Sequence, residues 1–223
     1  MTSRAWVIVL FAAFAAFAAP LAHADAPCPQ SCITLSPYTE CAIAASRDSS
    51  VSESCYPYSG QREMRAAFDL VLGTTVSYAR SCSFPGPGAY ASVESRDRYR
   101  VIGPAGGPIA FTARVHANGN SGGVGSVGVT VAEPLHGSAH VDEGEVGGFD
   151  QYLELPLSHA PGEEFVIEVY SYASAVSYAQ ATSELSFTGL PPGYGIASCQ
   201  GFAGSGAVPT LPSTWGRLKA RYR

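Results

Sequence analysis

Tryptophan is almost missing from this chain. Its two copies, Trp6 and Trp215, stand near opposite ends. The stretch between them therefore has no flat tryptophan platform to offer a sugar ring. Charged residues are also sparse, at 14%, and bases are the scarcer sign. Beyond Arg4, 12 basic residues face 18 acidic ones, and four of the 12 crowd into the last seven positions. A body this acidic repels phosphate backbones, which excludes nucleic acid as a natural partner. No long amphipathic helical period runs through the chain. After the first two dozen residues no apolar run approaches the length of a membrane span.

The N-terminus is different. Arg4 precedes an apolar run, Ala5 to Ala22, and Ala22-His23-Ala24 supplies a small-x-small exit before Asp25. A positive start, a short apolar stretch and a small-residue exit mark a secretory signal over residues 1–24. Pro20 interrupts the run, which argues against a membrane anchor. No cysteine follows the cut, which argues against a lipid anchor. The expected mature chain, from Asp25 on, carries a net charge of −6. It belongs in the periplasm, at the cell surface or outside the cell.

All six cysteines, Cys28, Cys32, Cys41, Cys55, Cys82 and Cys199, survive that cleavage. An even count in an oxidising compartment reads as disulfides. The first four are expected to pair locally, and Cys82 to pair with Cys199 across the strand-rich region. Residues 25–60 form a cysteine-rich, Ser/Pro-rich lead with no long apolar period. Crosslinks must substitute for a core there, and Cys41 to Ala45 has room for one helical turn.

From residue 61 the pattern has period two. Ile109, Phe111, Ala113 and Val115 alternate with smaller or polar residues, as do Val127, Val129 and Val131, then Leu153, Leu155 and Leu157, then Phe165, Ile167 and Val169. Such alternation marks strands with one buried face. Gly/Pro clusters punctuate it, among them Pro85 to Gly88, Gly103 to Pro108, Pro161-Gly162 and Pro191 to Gly193. The expectation for residues 61–202 is an all-β domain of eight to ten strands. It should be a two-sheet antiparallel sandwich, jelly-roll-like, with a closed barrel as the alternative. Residues 203–212 read as a linker and 213–223 as a basic tail, with Trp215, Leu218 and Tyr222 on one helical face.

Within that domain, Val93 to Asp97 leads through Gly106 to Ile109 into Phe111 to Val115. Further on, Pro161-Gly162-Glu163-Glu164-Phe165 is followed by Leu190 to Cys199. Over Ala89 to Phe202 this layout resembles uncharacterised exported bacterial β-sandwich proteins of the kind that often carry a Pro-Glu-Pro C-terminal sorting signal. The resemblance implies a secreted sandwich and no particular activity. This chain lacks the sorting helix, and Cys199 stands where a small hydroxyl residue is usual. The Trp215-Gly216-Arg217-Leu218-Lys219 ending is similar to tails of other predicted secreted proteins.

Several motifs invite a chemical reading. Gly119-Asn120-Ser121-Gly122-Gly123 looks like the nucleophile loop of trypsin-like proteases, but His116 is the one mature histidine upstream and lies too near in sequence to act as base. A hairpin turn explains it. Leu211 to Thr214 resembles the start of a sortase signal but lacks the glycine and the apolar span that follow one. His136, His140 and Asp142 would share a face of a strand, with Glu143, Glu145 and Asp150 close behind. Imidazoles with a carboxylate suit zinc, and the carboxylates alone suit calcium. Glu168, Tyr170 and Tyr172 point away from buried Phe165, Ile167 and Val169, and a tyrosine stripe can stack sugar rings. Arg96, Arg98 and Arg100 share a face that could protect an edge strand from pairing with neighbours.

No base, nucleophile and oxyanion set converges on these residues. The leading expectation is a non-catalytic structural or adhesive module that meets a glycan or another surface protein. A carbohydrate-binding sandwich, with calcium as a possible aid, is the first alternative, and a metal-dependent hydrolase around His136 and His140 is the second. No cofactor other than calcium is expected. Mature protein should begin at Asp25. The intact mass of material recovered from periplasm or medium checks this, and any retained residue before Asp25 contradicts it.

Overall fold

A computed structural model of the chain describes residues 27–54, 60–82, 88–144 and 146–203. The expected signal segment, Cys55, Glu145 and the expected tail lie outside the described residues. Thirteen strands are described. The first five are β1 (Ser31–Leu35), β2 (Tyr38–Ala42), β3 (Ser46–Ser54), β4 (Gln61–Asp69) and β5 (Thr74–Arg80). Then come β6 (Ala89–Ile102), β7 (Ile109–Gly122), β8 (Gly125–Glu133) and β9 (Gly137–Gly144). The last four are β10 (Gly147–His159), β11 (Glu164–Ala175), β12 (Tyr178–Thr188) and β13 (Gly195–Ser198).

They form two antiparallel sheets packed face to face. Sheet A runs β2-β1-β6-β11-β8-β9, with β13 also paired to β6. Sheet B runs β10-β7-β12-β5-β4-β3. The alternating residues make the core. Phe111, Ala113 and Val115 of sheet B, with Leu153, Leu155 and Leu157, face Val127, Val129, Val131, Phe165, Ile167 and Val169 of sheet A, and all are buried. Each large side chain among them contributes roughly 1.5–3 kcal/mol on leaving water. The rings of Tyr99, Phe111, Phe165, Phe187 and Phe202 cluster at one end, with centroids 5.1–6.3 Å apart.

The core is not wholly apolar. Thr75 Oγ1 donates to Ser171 Oγ at 3.0 Å and lies 2.7 Å from Ser183 Oγ. Ser77 Oγ donates to the Ser171 carbonyl at 3.0 Å. These four residues are buried and join β5 and β12 to β11 across the interface. Hydroxyls that satisfy one another escape the desolvation penalty of an unpaired polar group.

Five expectations need correction. The lead is no separate, coreless segment: β1 and β2 belong to sheet A, β3 to sheet B, and Ile33 and Leu35 are buried core. Cys41 and Ala42 lie in β2, and among the described residues there is no helix. Gly119 to Gly122 continues β7 in full extension, and the turn falls at Gly123, whose φ of 74° suits glycine. The Arg96, Arg98 and Arg100 row is on no edge, because β6 lies between β1 and β11. Arg96 instead pairs with Glu94 and Glu168, and Arg98 with Glu164.

The fifth correction is the disulfide pairing. Cys199 is bonded to Cys28, not Cys82, with Cα atoms 5.7 Å apart. Cys32 is bonded to Cys41, its directly opposite partner in the β1–β2 ladder, with Cα atoms 4.1 Å apart. Local pairing thus holds for Cys32 and Cys41 and fails for Cys28. Cys82 is also disulfide-bonded, and no described cysteine is a free thiol. The reason is topological. Cys82 follows β5 in sheet B, whereas Cys199 follows β13 in sheet A. The first strand on Cys199's sheet is β1, and Cys28 stands just ahead of it.

Beside that bridge Asp97 is buried. Its carboxylate accepts from Arg98 N at 2.7 Å, from Gln200 N at 3.4 Å and from the Ser198 hydroxyl. Burial outweighs those bonds and raises its pKa to about 6.

Two predictions follow from this corner. The Cys28–Cys199 bridge spans a sequence separation of 171 and the Cys32–Cys41 bridge one of 9. On the chain-entropy view the first contributes about 5 kcal/mol and the second about 3. In urea melts, the Cys28→Ser/Cys199→Ser double variant should lose more stability than Cys32→Ser/Cys41→Ser; the reverse order would refute the assignment. For Asp97, the folded state holds the proton more tightly than the unfolded chain, so its contribution is full below about pH 4 and is lost as pH rises through 6. The loss is about 3 kcal/mol at most. Asp97→Asn should flatten stability between pH 4 and pH 7, measured as the difference between wild-type and variant melts.

Candidate functional site

The outer face of sheet A carries the tyrosine stripe. On β11, Tyr170 stands between Glu94 of β6 and Thr130 of β8, and Tyr172 between Ser92 and Gly128. Their rings are 6.0 Å apart and inclined by 30°. Tyr90 of β6 joins them, its phenol oxygen 2.6 Å from that of Tyr170. Glycine at position 128 allows this arrangement. A Cβ there would meet the Tyr172 ring at 2.4 Å, so the ring lies across β8 in space that a side chain would fill.

Polar groups surround the rings. Burial, then the hydrogen bond with Tyr90, push the Tyr170 phenol far above its ordinary range. Burial, then the nearby Asp142 carboxylate, raise Tyr172, while the Ser126 hydroxyl bonds it and pulls the other way. Both phenols therefore remain protonated around neutral pH and can donate as well as accept. Glu168 shares the face as expected, but it accepts from Arg96 Nε at 3.0 Å. It frames the stripe instead of completing it.

A second group lies at one corner of the sandwich, where the β8–β9 turn meets the end of β10. Glu133, His136 and His159 each bring a metal-ligating atom within 4.8 Å of the others. Glu133 Oε2 accepts from Leu135 N at 2.8 Å and from His136 N at 2.7 Å, and lies 2.7 Å from His136 Nδ1. His159 is 1% exposed, stacked on Phe165 at 4.3 Å.

No family model and no curated protein matches the chain. Among solved structures it is similar to TmCBM61, a carbohydrate-binding module solved with β-1,4-galactotriose. The TM-score is 0.26 at 10% identity, over 64% of this chain and 86% of that one. A likeness of that size says nothing about a ligand of this chain.

The six residues expected to hold a metal are scattered. His136 sits in the turn before β9 and not on the strand. His140 and Asp142 do share the outer face of β9, two residues apart, with His140 opposite Thr130. Glu143 follows on the same edge strand, and Glu145 lies outside the described residues. Asp150 is on the other sheet, 2.6 Å from His116 Nε2. Among the described residues, Glu133, His136 and His159 are the one triple within metal range.

The protease-like loop is dismantled by the same geometry. Ser121 is buried at 2% exposure on the inward face of β7, whereas His116 points outward and stacks on Tyr152 at 4.8 Å. Alternation along a strand sends an odd and an even position to opposite faces. Tyr90, Gly128, Glu133 and His159 were missed from sequence. Tyr90 and Gly128 gain their meaning from strand neighbours far away in the chain, and Glu133 and His159 from the β8–β9 turn they meet.

Proposed function

We propose that this is a non-catalytic extracellular module that binds carbohydrate on the outer face of sheet A. The observation that carries the reading is the Tyr172 ring reaching across Gly128, into space that a side chain there would fill. In the proposal that ring offers a face to the ligand. The axial hydrogens of a pyranose pack on such a face, and the hydroxyls around it need donors and acceptors. Tyr170, Tyr90, Ser126 and Asp142 supply both around Tyr172. The rings are half-buried and held by neighbours, so little side-chain entropy is lost on binding. The disulfides fit an oxidising compartment, where surface polysaccharide is met.

This takes up the alternative expected from sequence, a carbohydrate-binding sandwich, in place of the structural or adhesive module. The proposal assigns no calcium to this face. Affinity electrophoresis through a panel of polysaccharide gels, followed by titration with the retained polymer, tests the reading. Tyr172→Ala should weaken binding about tenfold, the scale of one aromatic stacking contact. Gly128→Val should lift the ring and weaken it comparably. Both variants should melt near the wild-type temperature, since the ring lies outside the core. Retention unchanged in both variants, or no retention on any gel, would overturn the proposal.

A further inference from the structure

We propose that Glu133, His136 and His159 form a site for a divalent transition metal, zinc by preference, that staples the two sheets together. The observation pointing to a ligand is His159. It is buried at the end of β10, and its Nε2 has no hydrogen-bond partner. Nδ1 pairs with Glu163 Oε1 at 3.2 Å. A buried ring nitrogen left unpaired is costly unless something takes up its lone pair. It faces His136, with ring centroids 4.8 Å apart, and the buried Glu133. Two imidazoles and a carboxylate are an established zinc donor set, and Glu163 on Nδ1 of His159 would orient that ring. Calcium wants six or more oxygens and is poorly served by imidazole.

The spacing is close to what an ion requires. Ligands about 2.1 Å from a shared ion lie no more than about 4.2 Å apart, so the widest separation here must close by about half an ångström. His136 sits in a turn and its side chain is 25% exposed, so it can supply that movement and also give the ion a way in. Glu133 and His136 come from sheet A and His159 from sheet B. Coordination would therefore tie the β9–β10 side of the sandwich. Both defined disulfides lie on the far side, around β1, β2 and β13.

Chelator-stripped protein should be titrated with zinc and, separately, with calcium, following heat by calorimetry and the melting temperature. One zinc per chain should bind and raise the melting temperature, because a ligand of the folded state alone stabilises it by mass action. Cobalt in place of zinc should give visible d–d bands of imidazole ligation. His136→Ala, in an accessible turn, should weaken zinc by about 100-fold and abolish the bands while still folding. His159→Gln should do the same, and His140→Ala should leave binding unchanged. No zinc binding, binding equal in wild type and His136→Ala, or a response to calcium alone would each overturn the proposal. None of these outcomes bears on polysaccharide retention, which reads the other face.

Discussion

The constraint on which the rest of the molecule depends is the length of β6. Its 14 residues exceed what either chain end could cover. One of its edges is therefore shared. β1 pairs with Ala91 to Glu94 and β13 with Tyr99 to Ile102, end to end. The gap between them, residues 95 to 98, would leave backbone groups exposed in mid-sheet. The chain fills it from both sides. Ser31 Oγ bonds both the N–H and the carbonyl of Arg96, Cys199 N donates to the Arg98 carbonyl, and the Cys28–Cys199 bridge closes the seam. Asp97 is buried beneath the splice and orders the turn after β13.

With the ends joined there, the sheet edges lie elsewhere and are protected by other means. β10, the edge of sheet B, carries Pro156, which has no N–H to offer a neighbour and is tolerated only at an edge. β9, one edge of sheet A, is acidic with Asp142 and Glu143. β3 is serine-rich, with Arg47, Asp48 and Glu53. These are the devices by which single domains avoid pairing edge to edge.

How much of this was legible depended on which residues face inward. Where valine, leucine or phenylalanine alternates, the strands and their buried faces were readable, as at Val127 to Val131 and Leu153 to Leu157. The signal failed where inward positions are hydroxyls. Thr75, Ser77 and Ser183 satisfy one another through Ser171 on the opposite sheet, so β5 needs no apolar period of its own. β3 failed for a related reason, because as an edge strand it buries little. The tyrosine stripe was visible because period two is local. Its seat was not, because Gly128 lies under Tyr172 only through the β8–β11 register. For the metal group, His136 was readable as a ligand candidate. Its partners were not, since a turn of three residues and the crossing of β10 to the other sheet bring Glu133 and His159 to it.

The stripe and the corner share β8. Its outward positions include Gly128, and its last residue is Glu133, turned inward. A register slip of one residue in β8 would exchange its faces. It would place Val127 or Val129 under Tyr172 and turn Glu133 out of the corner. Two restraints oppose that slip. The inward Val127, Val129 and Val131 are fully buried, and Glu133 caps the β8–β9 turn through two backbone N–H groups. The carboxylate that reaches His136 is thus the same group that fixes where β8 ends. The seat of the Tyr172 ring at Gly128 therefore depends on a buried acid at the edge of the sandwich, five residues along the same strand.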